Sequence, residues 1–553
     1  MKQILIILFS ALMSLKTVGQ IKDIITPEII TNPLHQANIG RITFMASNIP
    51  LNVYKKEDFL STFELSHKSS LNVRVFMANS VTNYLHQLAP ELSLEELVKS
   101  GNLQFSFFVD GNLIYKENIH HGCNFGSSVN KNTATTFRVP LTSTTGEDWW
   151  AMYMWDRFKV NGGEKALSEG KHYLKIELRP YLKLNDSDLR VGEMIAKGEV
   201  ELLIKSPVIT KEQIAVQAIA PNSGWEVSKD RYDTQKIEAL NTAIAKYELK
   251  QITSIVVIKD NKLLLEEYFN DANRNTLHDP RSAGKSFAST MMGIAIKDGY
   301  INNENQPLKN FYDLKKYANY ADNKSEVTIK NLLTMSSAFE GSDSDGDSPG
   351  NEENMYPTDN WVKFTLDLPM NNHKKNGAQW DYFTAGVVLL GDILNKSVPE
   401  SLEKYSDQKL FKPLNITQYQ WQYTPQKVVN TAGSLQMRAI DYAKYAQLYK
   451  NKGKWKGKQI IPTDWVAKTL TKQIQIPERE NEHYGYLFWN KTYSIEGKNY
   501  EVFYCAGNGG NEFLIFKDLP LVIIITGKAY NKPYAHPQVD KIVKEYLLPA
   551  ILF

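Results

Sequence analysis

The sequence predicts two folded parts of different class, an N-terminal all-β sandwich followed by an α/β domain. Short alternating apolar runs, separated by Gly, Asn and Asp, fill the first part and are typical of paired strands. The second part places a helical stretch between strands near both of its ends, which is typical of a sheet flanked by helices. With 553 residues, 42% of them hydrophobic and 23% charged, the chain is long enough for two or three globular domains.

Residues 1–19 have the composition of a secretory signal peptide. Lys2 precedes an apolar run from Ile4 to Met13, and Thr17-Val18-Gly19 supplies small residues where a signal peptidase reads them. We expect cleavage before Gln20, a periplasmic or secreted protein, and no membrane span after cleavage. A retained membrane anchor is the alternative, although the run is shorter than the roughly 20 residues that a spanning helix needs.

Residues 20–205 are assigned to the β-sandwich. Strands are predicted at residues 71–77, 103–109 and 172–178. Asp110-Gly111 and Glu169-Gly170 are typical of hairpin turns, and one helical insertion is expected around Leu92 to Lys99. The aromatic cluster at residues 149–155 is expected in the core, with an exposed ligand platform as the alternative.

A linker is predicted at residues 206–225, which include Pro207, Pro221 and Asn222-Ser223-Gly224. The α/β domain follows at residues 226–553. It is predicted to contain a helix at 232–247, a hairpin of strands 254–258 and 262–269, a mainly helical stretch from 282 to 446, strands at 501–504, 512–516 and 521–526, and a final helix at 537–548. The residues Asp260-Asn261 between the first two strands indicate a type I′ turn. Strands at both ends of the domain are expected to share one sheet.

Charge and cysteine content exclude several classes of protein. The chain has 64 Lys and Arg against 61 Asp and Glu, and a net charge of +3 predicts no nucleic-acid partner. Cys123 and Cys505 are the only cysteines, so a disulfide scaffold is excluded, while a single bridge between them stays open.

The candidate nucleophile is Ser282, in the run Ser282-Ala283-Gly284-Lys285. A serine and a lysine three residues apart at a helix start lie on one face, so the amine can accept the hydroxyl proton. The same spacing recurs in polar segments, at Ser128/Lys131, Ser168/Lys171, Ser401/Lys404 and Ser406/Lys409. The Ser282 copy instead opens an apolar run at residues 287–296, so its helix is predicted to be buried. Burial and a helix N-terminus both disfavour the ammonium form of Lys285.

Two further segments follow in order. Residues 377–391 contain Tyr382 before an apolar helix, and the run Tyr504-Cys505-Ala506-Gly507-Asn508-Gly509-Gly510 lies near the end of the chain. Together with the Ser282 segment they resemble the serine β-lactamase and penicillin-binding-protein-like hydrolases. The resemblance is strongest to the branch with class C-type β-lactamases, secreted esterases and 6-aminohexanoate-dimer hydrolases, and covers roughly residues 226–553. It implies a β-lactamase-like domain, with an antiparallel sheet, flanking helices and a helical subdomain.

The resemblance also implies roles for individual residues. Acyl transfer needs a nucleophile, a base, a proton donor for the leaving group and fixed N–H groups for the oxyanion. Ser282 is the expected nucleophile, with Lys285 as general base and Tyr382 as proton relay. The backbone N–H groups of Ser282 and Gly507 are the oxyanion-hole candidates. The candidate substrate-binding residues are Thr384, Tyr504, Asn508 and Gly509.

Two departures from the family pattern bear on the substrate. Thr384 stands where asparagine is usual, and Tyr504-Cys505-Ala506 supplies no cation in place of the Lys-Thr-Gly motif. Losing a charge-assisted contact to a substrate carboxylate costs about 1.5–3 kcal/mol, or one to two decades of affinity. A neutral ester, an amide or a short peptide is therefore the expected substrate. A β-lactamase or D-Ala peptidase-type enzyme, and a hydrolase-fold binding protein without turnover, are the alternatives.

No cofactor and no metal are predicted. The sequence has no Gly-x-Ser-x-Gly elbow, no His-Glu-x-x-His, no Cys-x-x-Cys and no phosphate-binding glycine loop. Asp343-Ser344-Asp345-Gly346-Asp347 suggests calcium, but its glycine is misplaced, so a solvated loop near the site mouth is expected. His120-His121-Gly122-Cys123 has no second cluster of metal ligands to complete a site.

Overall fold

The structure is a computed structural model that describes residues 21–552, except residues 67–68, 122–129, 143–148, 186, 222, 434 and 478. The expected signal peptide, residues 1–19, lies outside the described residues. The backbone divides into two compact units, and the boundary along the chain lies between Ser206 and Pro207. Within the described residues, no helix combines the length and the apolar composition that crossing a membrane requires.

The first unit consists of two sheets that enclose one apolar core. Its strands are β1 (Ile42–Met45), β2 (Thr62–Leu65), β3 (Asn72–Phe76), β4 (Gly101–Val109), β5 (Asn112–Asn118), β6 (Thr136–Pro140), β7 (Gly170–Asn185), β8 (Asp188–Val191) and β9 (Ala196–Ile204), and its helices are α1 (Pro33–Asn38), α2 (Val81–Leu88), α3 (Leu94–Ser100), α4 (Trp149–Phe158) and α5 (Glu164–Ala166). One sheet has the order β1-β3-β6; the other has the order β2-β9-β7-β4-β5, with β8 paired to β7. Phe44, Val75 and Phe137 from the first sheet share a buried cluster with Phe105 and Leu178 from the second.

The strands predicted at 103–109 and 172–178 fall within β4 and β7, and the strand predicted at 71–77 exceeds β3 by one residue at each end. Asp110-Gly111 forms the turn between β4 and β5, and both residues have positive φ, 50° and 81°. The hairpin predicted at Glu169-Gly170 is wrong, because α5 precedes these residues and Gly170 begins β7. Of the helices, α3 matches the predicted insertion, whereas α1, α2, α4 and α5 were not predicted. Trp155 on α4 is 3% exposed, so its assignment to the core is confirmed.

The second unit is built on an eight-stranded antiparallel sheet. The strands of the unit are β10 (Ile252–Lys259), β11 (Lys262–Tyr268), β12 (Tyr419–Trp421), β13 (Leu435–Met437), β14 (Lys454–Trp455), β15 (Lys458–Gln459), β16 (Ile474–Gln475), β17 (His483–Tyr484), β18 (Trp489–Ile495), β19 (Lys498–Gly507), β20 (Asn511–Phe516) and β21 (Leu521–Gly527). Four of them form two separate two-stranded sheets, β12-β13 and β14-β15. The large sheet has the order β11-β10-β21-β20-β19-β18-β17-β16. Because β10 pairs with β21, strands from both ends of the unit are neighbours, as the sequence predicts.

Helices cover both faces of this sheet. The helices of the unit are α6 (Lys211–Ile214), α7 (Thr234–Ala245), α8 (Ser286–Lys297), α9 (Asp322–Ser325), α10 (Ile329–Leu333), α11 (Glu352–Met355), α12 (Trp361–Asp367), α13 (Thr384–Ser397), α14 (Leu402–Ser406), α15 (Ala439–Lys450), α16 (Thr463–Thr469), α17 (Ala535–Lys541) and α18 (Leu548–Leu552). Val256 on β10 packs in one cluster with α8, α13 and α15, while its neighbour Val257 packs in another with α7, α17 and α18. The predicted architecture, an antiparallel sheet flanked by helices with a helical part between its strands, is confirmed.

Most of the predicted linker, residues 206–225, belongs to this second unit. The Gln217 amide donates to the Tyr268 carbonyl at 2.8 Å and accepts the Tyr268 N–H at 3.1 Å. The Gln217 N–H donates to Glu267 Oε1 at 2.8 Å. The segment is therefore anchored on β11 by backbone and side-chain hydrogen bonds.

Candidate active site

Ser282 and Lys285 lie in a single 3₁₀ turn, Arg281–Lys285, that leads directly into α8. Lys285 Nζ donates to Ser282 Oγ at 2.8 Å. Lys285 is 2% exposed, and ten of the twelve residues of α8 are buried. The spacing that the sequence offers thus becomes a direct contact, through which a neutral Lys285 amine can take the hydroxyl proton.

The turn that carries Ser282 is held by its neighbours. Arg281 has a positive φ of 49°, and its N–H donates to Asp279 Oδ1 at 2.9 Å. The end of β19 lies directly against this turn, because a Cβ on Gly507 would be 2.0 Å from the Pro280 carbonyl oxygen and 2.8 Å from the Ala283 nitrogen. Glycine at position 507 is therefore required by the close approach of the turn that carries Ser282.

Tyr382 is the third residue that the structure brings to this point. Lys285 Nζ lies 5.1 Å from the centroid of the Tyr382 ring. The ring is half-buried and stacks on Trp489, with centroids 5.8 Å apart, while Trp380 lies 6.1 Å away. Ser282, Lys285 and Tyr382 thus form one cluster, with the end of β19 against the turn that supplies two of them.

Thr384 begins α13 and is fully buried, so its side chain is part of the protein interior. Its N–H donates to Asp343 Oδ2 at 2.8 Å, and the Asp343 N–H donates to the Tyr382 carbonyl at 2.8 Å. Burial raises the pKa of Asp343 above its usual value and Glu352 adds to the rise, whereas hydrogen bonding from Thr384 and the charge of Lys285 oppose it. The interpretation of residues 343–347 as a solvated loop is therefore wrong for Asp343, although residues 344–347 are exposed.

The third motif, residues 504–510, contains no lysine, arginine or histidine. Cys505, in the middle of the motif, is 1% exposed, and burial raises the pKa of its thiol to about 12, with a hydrogen bond to Ser286 opposing the rise. Its neighbour Tyr504 is 4% exposed and stacks on Trp489 with centroids 6.4 Å apart. Both side chains are therefore packed in the protein interior.

Sequence reasoning missed Lys491, a buried cation beside this motif. Its Nζ lies 4.2 Å from the Tyr504 ring centroid, 3.1 Å from Glu512 Oε2 and 2.7 Å from Asp540 Oδ1. Burial alone would lower the pKa of Lys491, but Glu512 foremost and Asp540 among the others raise it well above its usual value. Two carboxylates thus neutralise this ammonium group within the protein.

The remaining predicted substrate-binding residues lie in the turn after β19. Asn508 is exposed, its Oδ1 accepts the Asn531 N–H at 2.6 Å, and its amide also donates to Asn531 Oδ1. Gly509 is buried, has a φ of 96° and forms a bridge with Ala529. Asn508 and Gly509 thereby connect the end of β19 to the segment that follows β21.

An aromatic wall extends from Tyr382 and was not predicted as a unit. Its members are Trp380, Tyr382, Tyr484, Trp489 and Tyr504, with successive ring centroids 5.0–6.4 Å apart. The Arg479 guanidinium lies 5.1 Å from the Trp489 ring, and Arg479 also lines a cavity of about 340 Å³ with Gln475, Ile476, Pro477 and Glu480. The signal for this wall was Trp380, two residues before Tyr382 in the second motif.

Metal-ligand clusters are not found in the part of the chain that the structure describes, where no group of three or more His, Cys, Asp or Glu side chains could hold an ion. Gly122 and Cys123 of the histidine-cysteine segment lie outside that part. Cys505 is a free, buried cysteine.

Comparison with known proteins gives a family match and several similar proteins. Residues 250–542 match the family model described as Beta-lactamase. Protein flp of Staphylococcus aureus (strain N315) is 24% identical over 182 residues, which cover 32% of this chain and 35% of that protein. The aligned part thus spans about a third of the length of the curated relative. The octameric penicillin-binding protein homologue from Pyrococcus abyssi is a similar solved structure, with a TM-score of 0.42 and 18% identity, and the match covers 56% of this chain and 76% of that chain. A D-stereospecific amidohydrolase from Streptomyces is also similar, with a TM-score of 0.41 and 16% identity, and the match covers 52% of this chain and 92% of that chain.

Proposed function

The chain belongs to the β-lactamase family, and on this basis we propose that it is a serine hydrolase that cleaves an ester or amide bond through an acyl-enzyme on Ser282. The observation that carries the proposal is the 2.8 Å contact between Lys285 Nζ and Ser282 Oγ in a buried turn. A neutral Lys285 removes the hydroxyl proton while Ser282 Oγ attacks the carbonyl carbon.

The later steps use the groups around this pair. The backbone N–H groups of Ser282 and Gly507 are the proposed donors to the negative oxygen of the tetrahedral intermediate. Tyr382, next to Lys285, returns the proton to the leaving alcohol or amine as the bond to it breaks. Water then attacks the acyl-enzyme, with the same groups working in reverse, and releases the acid and free Ser282.

The charges at β19 favour a substrate without a carboxylate at that position. Cys505 offers a buried neutral thiol, and the Lys491 ammonium is already neutralised by Glu512 and Asp540. Binding a substrate carboxylate there would require desolvation of the anion without a matching cation. Neutral esters, amides or short peptides are therefore favoured over β-lactams and D-Ala-D-Ala substrates.

Substitution of the nucleophile tests this proposal. We expect wild-type protein to hydrolyse p-nitrophenyl acetate and to be labelled by a fluorophosphonate on Ser282, and we expect Ser282→Ala to lose both. Ser168→Ala is the matched control, because Ser168 is exposed and has the same spacing to a lysine. Wild-type protein that shows neither labelling nor turnover of any ester or amide would contradict the proposal.

A binding protein on a hydrolase fold is the second candidate. It is favoured by Thr384, which is fully buried where the family pattern has asparagine. A panel of esters, short amides, D-amino-acid peptides and a chromogenic cephalosporin separates the cases: turnover of any of them excludes the binding protein, and preference for the cephalosporin would favour a β-lactamase.

Export is part of the proposal and rests on residues 1–19. A protein recovered from the periplasm or medium with Gln20 as its first residue would support it. Retention of Met1 in the membrane fraction would instead favour the uncleaved anchor. The proposed partner is a small ester, amide or short peptide, and not a nucleic acid.

A further inference from the structure

The structure assigns to Asp343 a positioning role in catalysis that no sequence motif indicates. The Asp343 carboxylate fixes the Tyr382–Thr384 segment and sets the charge that faces Lys285. The inference rests on the proposed hydrolase function, because positioning matters only if Tyr382 relays a proton. It concerns a loop residue 39 positions before Tyr382, outside the three motifs.

Asp343 holds the backbone on both sides of Phe383. Its N–H donates to the Tyr382 carbonyl at 2.8 Å, and its Oδ2 accepts the Thr384 N–H at 2.8 Å. The peptide groups before and after Phe383 are thus tied to one residue. The Tyr382 side chain then depends on its own torsion angles and on its ring contacts, so a shift of Asp343 moves the phenol.

The loop that presents Asp343 is itself anchored. Asp343 Oδ1 accepts the Glu352 N–H at 2.9 Å, at the start of α11. The Asn351 amide donates to the Asp345 carbonyl at 3.0 Å, and Ser348 Oγ accepts the Ser342 N–H at 2.9 Å. Asp343 is therefore a fixed point between α11 and α13.

Asp343 also supplies the side-chain hydrogen-bond acceptor that caps the start of α13. The residue before this 14-residue helix is Phe383, whose side chain makes no capping hydrogen bond. A carboxylate that accepts a first-turn N–H is favourable at a helix N-terminus, where the backbone groups are unpaired and the helix dipole is positive. The cap comes from a distant loop, so the same contact that starts the helix also fixes Tyr382.

Three ionisable side chains and one tyrosine hydroxyl interact electrostatically with Asp343. Lys285 faces it from the Ser282 turn, Glu352 and Glu353 from α11, and Tyr356 from the turn after α11. Both carboxylate oxygens accept backbone N–H groups, and these contacts favour the ionised form. The side chains of Asp343 and Lys285 interact electrostatically, and Asp343→Asn weakens that interaction while Asp343→Glu keeps it.

The experiment compares Asp343→Asn with Asp347→Asn, an exposed aspartate of the same loop. For Asp343→Asn we expect kcat with p-nitrophenyl acetate to fall by about 10- to 100-fold with KM changed less than about threefold, as for a misplaced catalytic group. The acidic limb of the pH profile of kcat/KM should move to lower pH. Asp343→Glu keeps the charge, so its acidic limb should stay at the wild-type pH even where kcat falls.

Folding is measured alongside, by thermal unfolding of each variant, so that activity is expressed per folded protein. The inference is overturned if Asp343→Asn equals Asp347→Asn in kcat and in pH profile, or if it loses activity only in proportion to its folded fraction. A wild-type protein that neither hydrolyses the ester nor reacts with the fluorophosphonate overturns the proposed function and this inference together. Activity in the wild type with an unaffected Asp343→Asn overturns the inference alone.

Discussion

Gly507 shows how tightly the site is assembled at the scale of a single residue. Its missing side chain leaves room for the Pro280 carbonyl, which would lie 2.0 Å from a Cβ. The sequence indicated Gly507 as an oxyanion-hole candidate, but its contact with the turn that carries Ser282 could not be inferred from the motif. The contact of Asp343 with the start of α13 could not be predicted either, because the sequence of an acidic loop does not show which of its aspartates accepts a hydrogen bond from a distant helix.

Substitution of this glycine should therefore displace Ser282. We expect Gly507→Ala to lower kcat/KM by about 100-fold or more, since an error of about 1 Å in the position of a catalytic group can cost that much. The measurement is ester hydrolysis together with the rate of fluorophosphonate labelling. Gly346→Ala is the control, because a Cβ at Gly346 meets no atom within 4 Å and its activity should match wild type.

At the scale of elements, structures that depend on neighbouring residues were predicted correctly, whereas a strand that depends on contacts with distant residues was missed. The hairpin of β10 and β11 was predicted from Asp260-Asn261, whose positive φ values of 50° and 63° are those a type I′ turn needs. The strand β18 was missed although its residues alternate. Lys491 lies in its buried series, and this lysine is tolerated only because Glu512 and Asp540 arrive from β20 and α17. No pattern within β18 reports that compensation.

The missed strand carries Trp489, on which Tyr382 stacks. We expect Trp489→Ala to lower kcat by about tenfold or more, because the Tyr382 ring loses the partner that lies 5.8 Å from it. Trp489→Phe keeps a stacked ring and should retain most of the activity. The variants are compared by ester hydrolysis per folded protein.

Loss of a tryptophan by itself needs a control, which Trp225 provides. Trp225 is also half-buried, and it packs edge-to-face on Trp455 at 5.4 Å. Trp225→Ala should reduce stability without lowering kcat. Equal kcat losses in Trp489→Ala and Trp225→Ala would contradict the role of Trp489 in positioning Tyr382.

At the scale of the whole molecule, the two units and their order were predicted from the change in pattern near residue 206, and the structure divides the chain there. The candidate site could be proposed from the sequence because its three motifs lie in one unit and keep the order that the resemblance implies. The start of the second unit could not be predicted, because Gln217 binds β11 through Glu267 and Tyr268. The Pro and Gly residues that suggest a linker give no sign of these contacts. The same contacts make Glu267 a determinant of stability.

Glu267 predicts how the stability of the molecule depends on pH. Its side chain is fully buried, and burial raises the pKa of Glu267 to about 7 in the folded protein, with the hydrogen bonds from Gln217 and Asn241 opposing the rise. The unfolded chain releases this proton near the ordinary glutamate pKa of about 4.3. Between these values the folded state holds more protons, so the free energy of unfolding falls as pH rises, by about 4 kcal/mol at most.

Glu267→Gln removes this titration and should remove its part of the pH dependence. We expect the difference in unfolding free energy, variant minus wild type, to increase from pH 4.5 to pH 7 and then to level off. Urea unfolding at pH 5, 6, 7 and 8 measures it, with m-values checked for constancy. Glu248→Gln, an exposed glutamate between α7 and β10, should run parallel to wild type. If Glu267→Gln also ran parallel, Glu267 would have to be ionised in the folded protein throughout this range, and its burial would then have to be compensated by a contact other than those with Gln217 and Asn241.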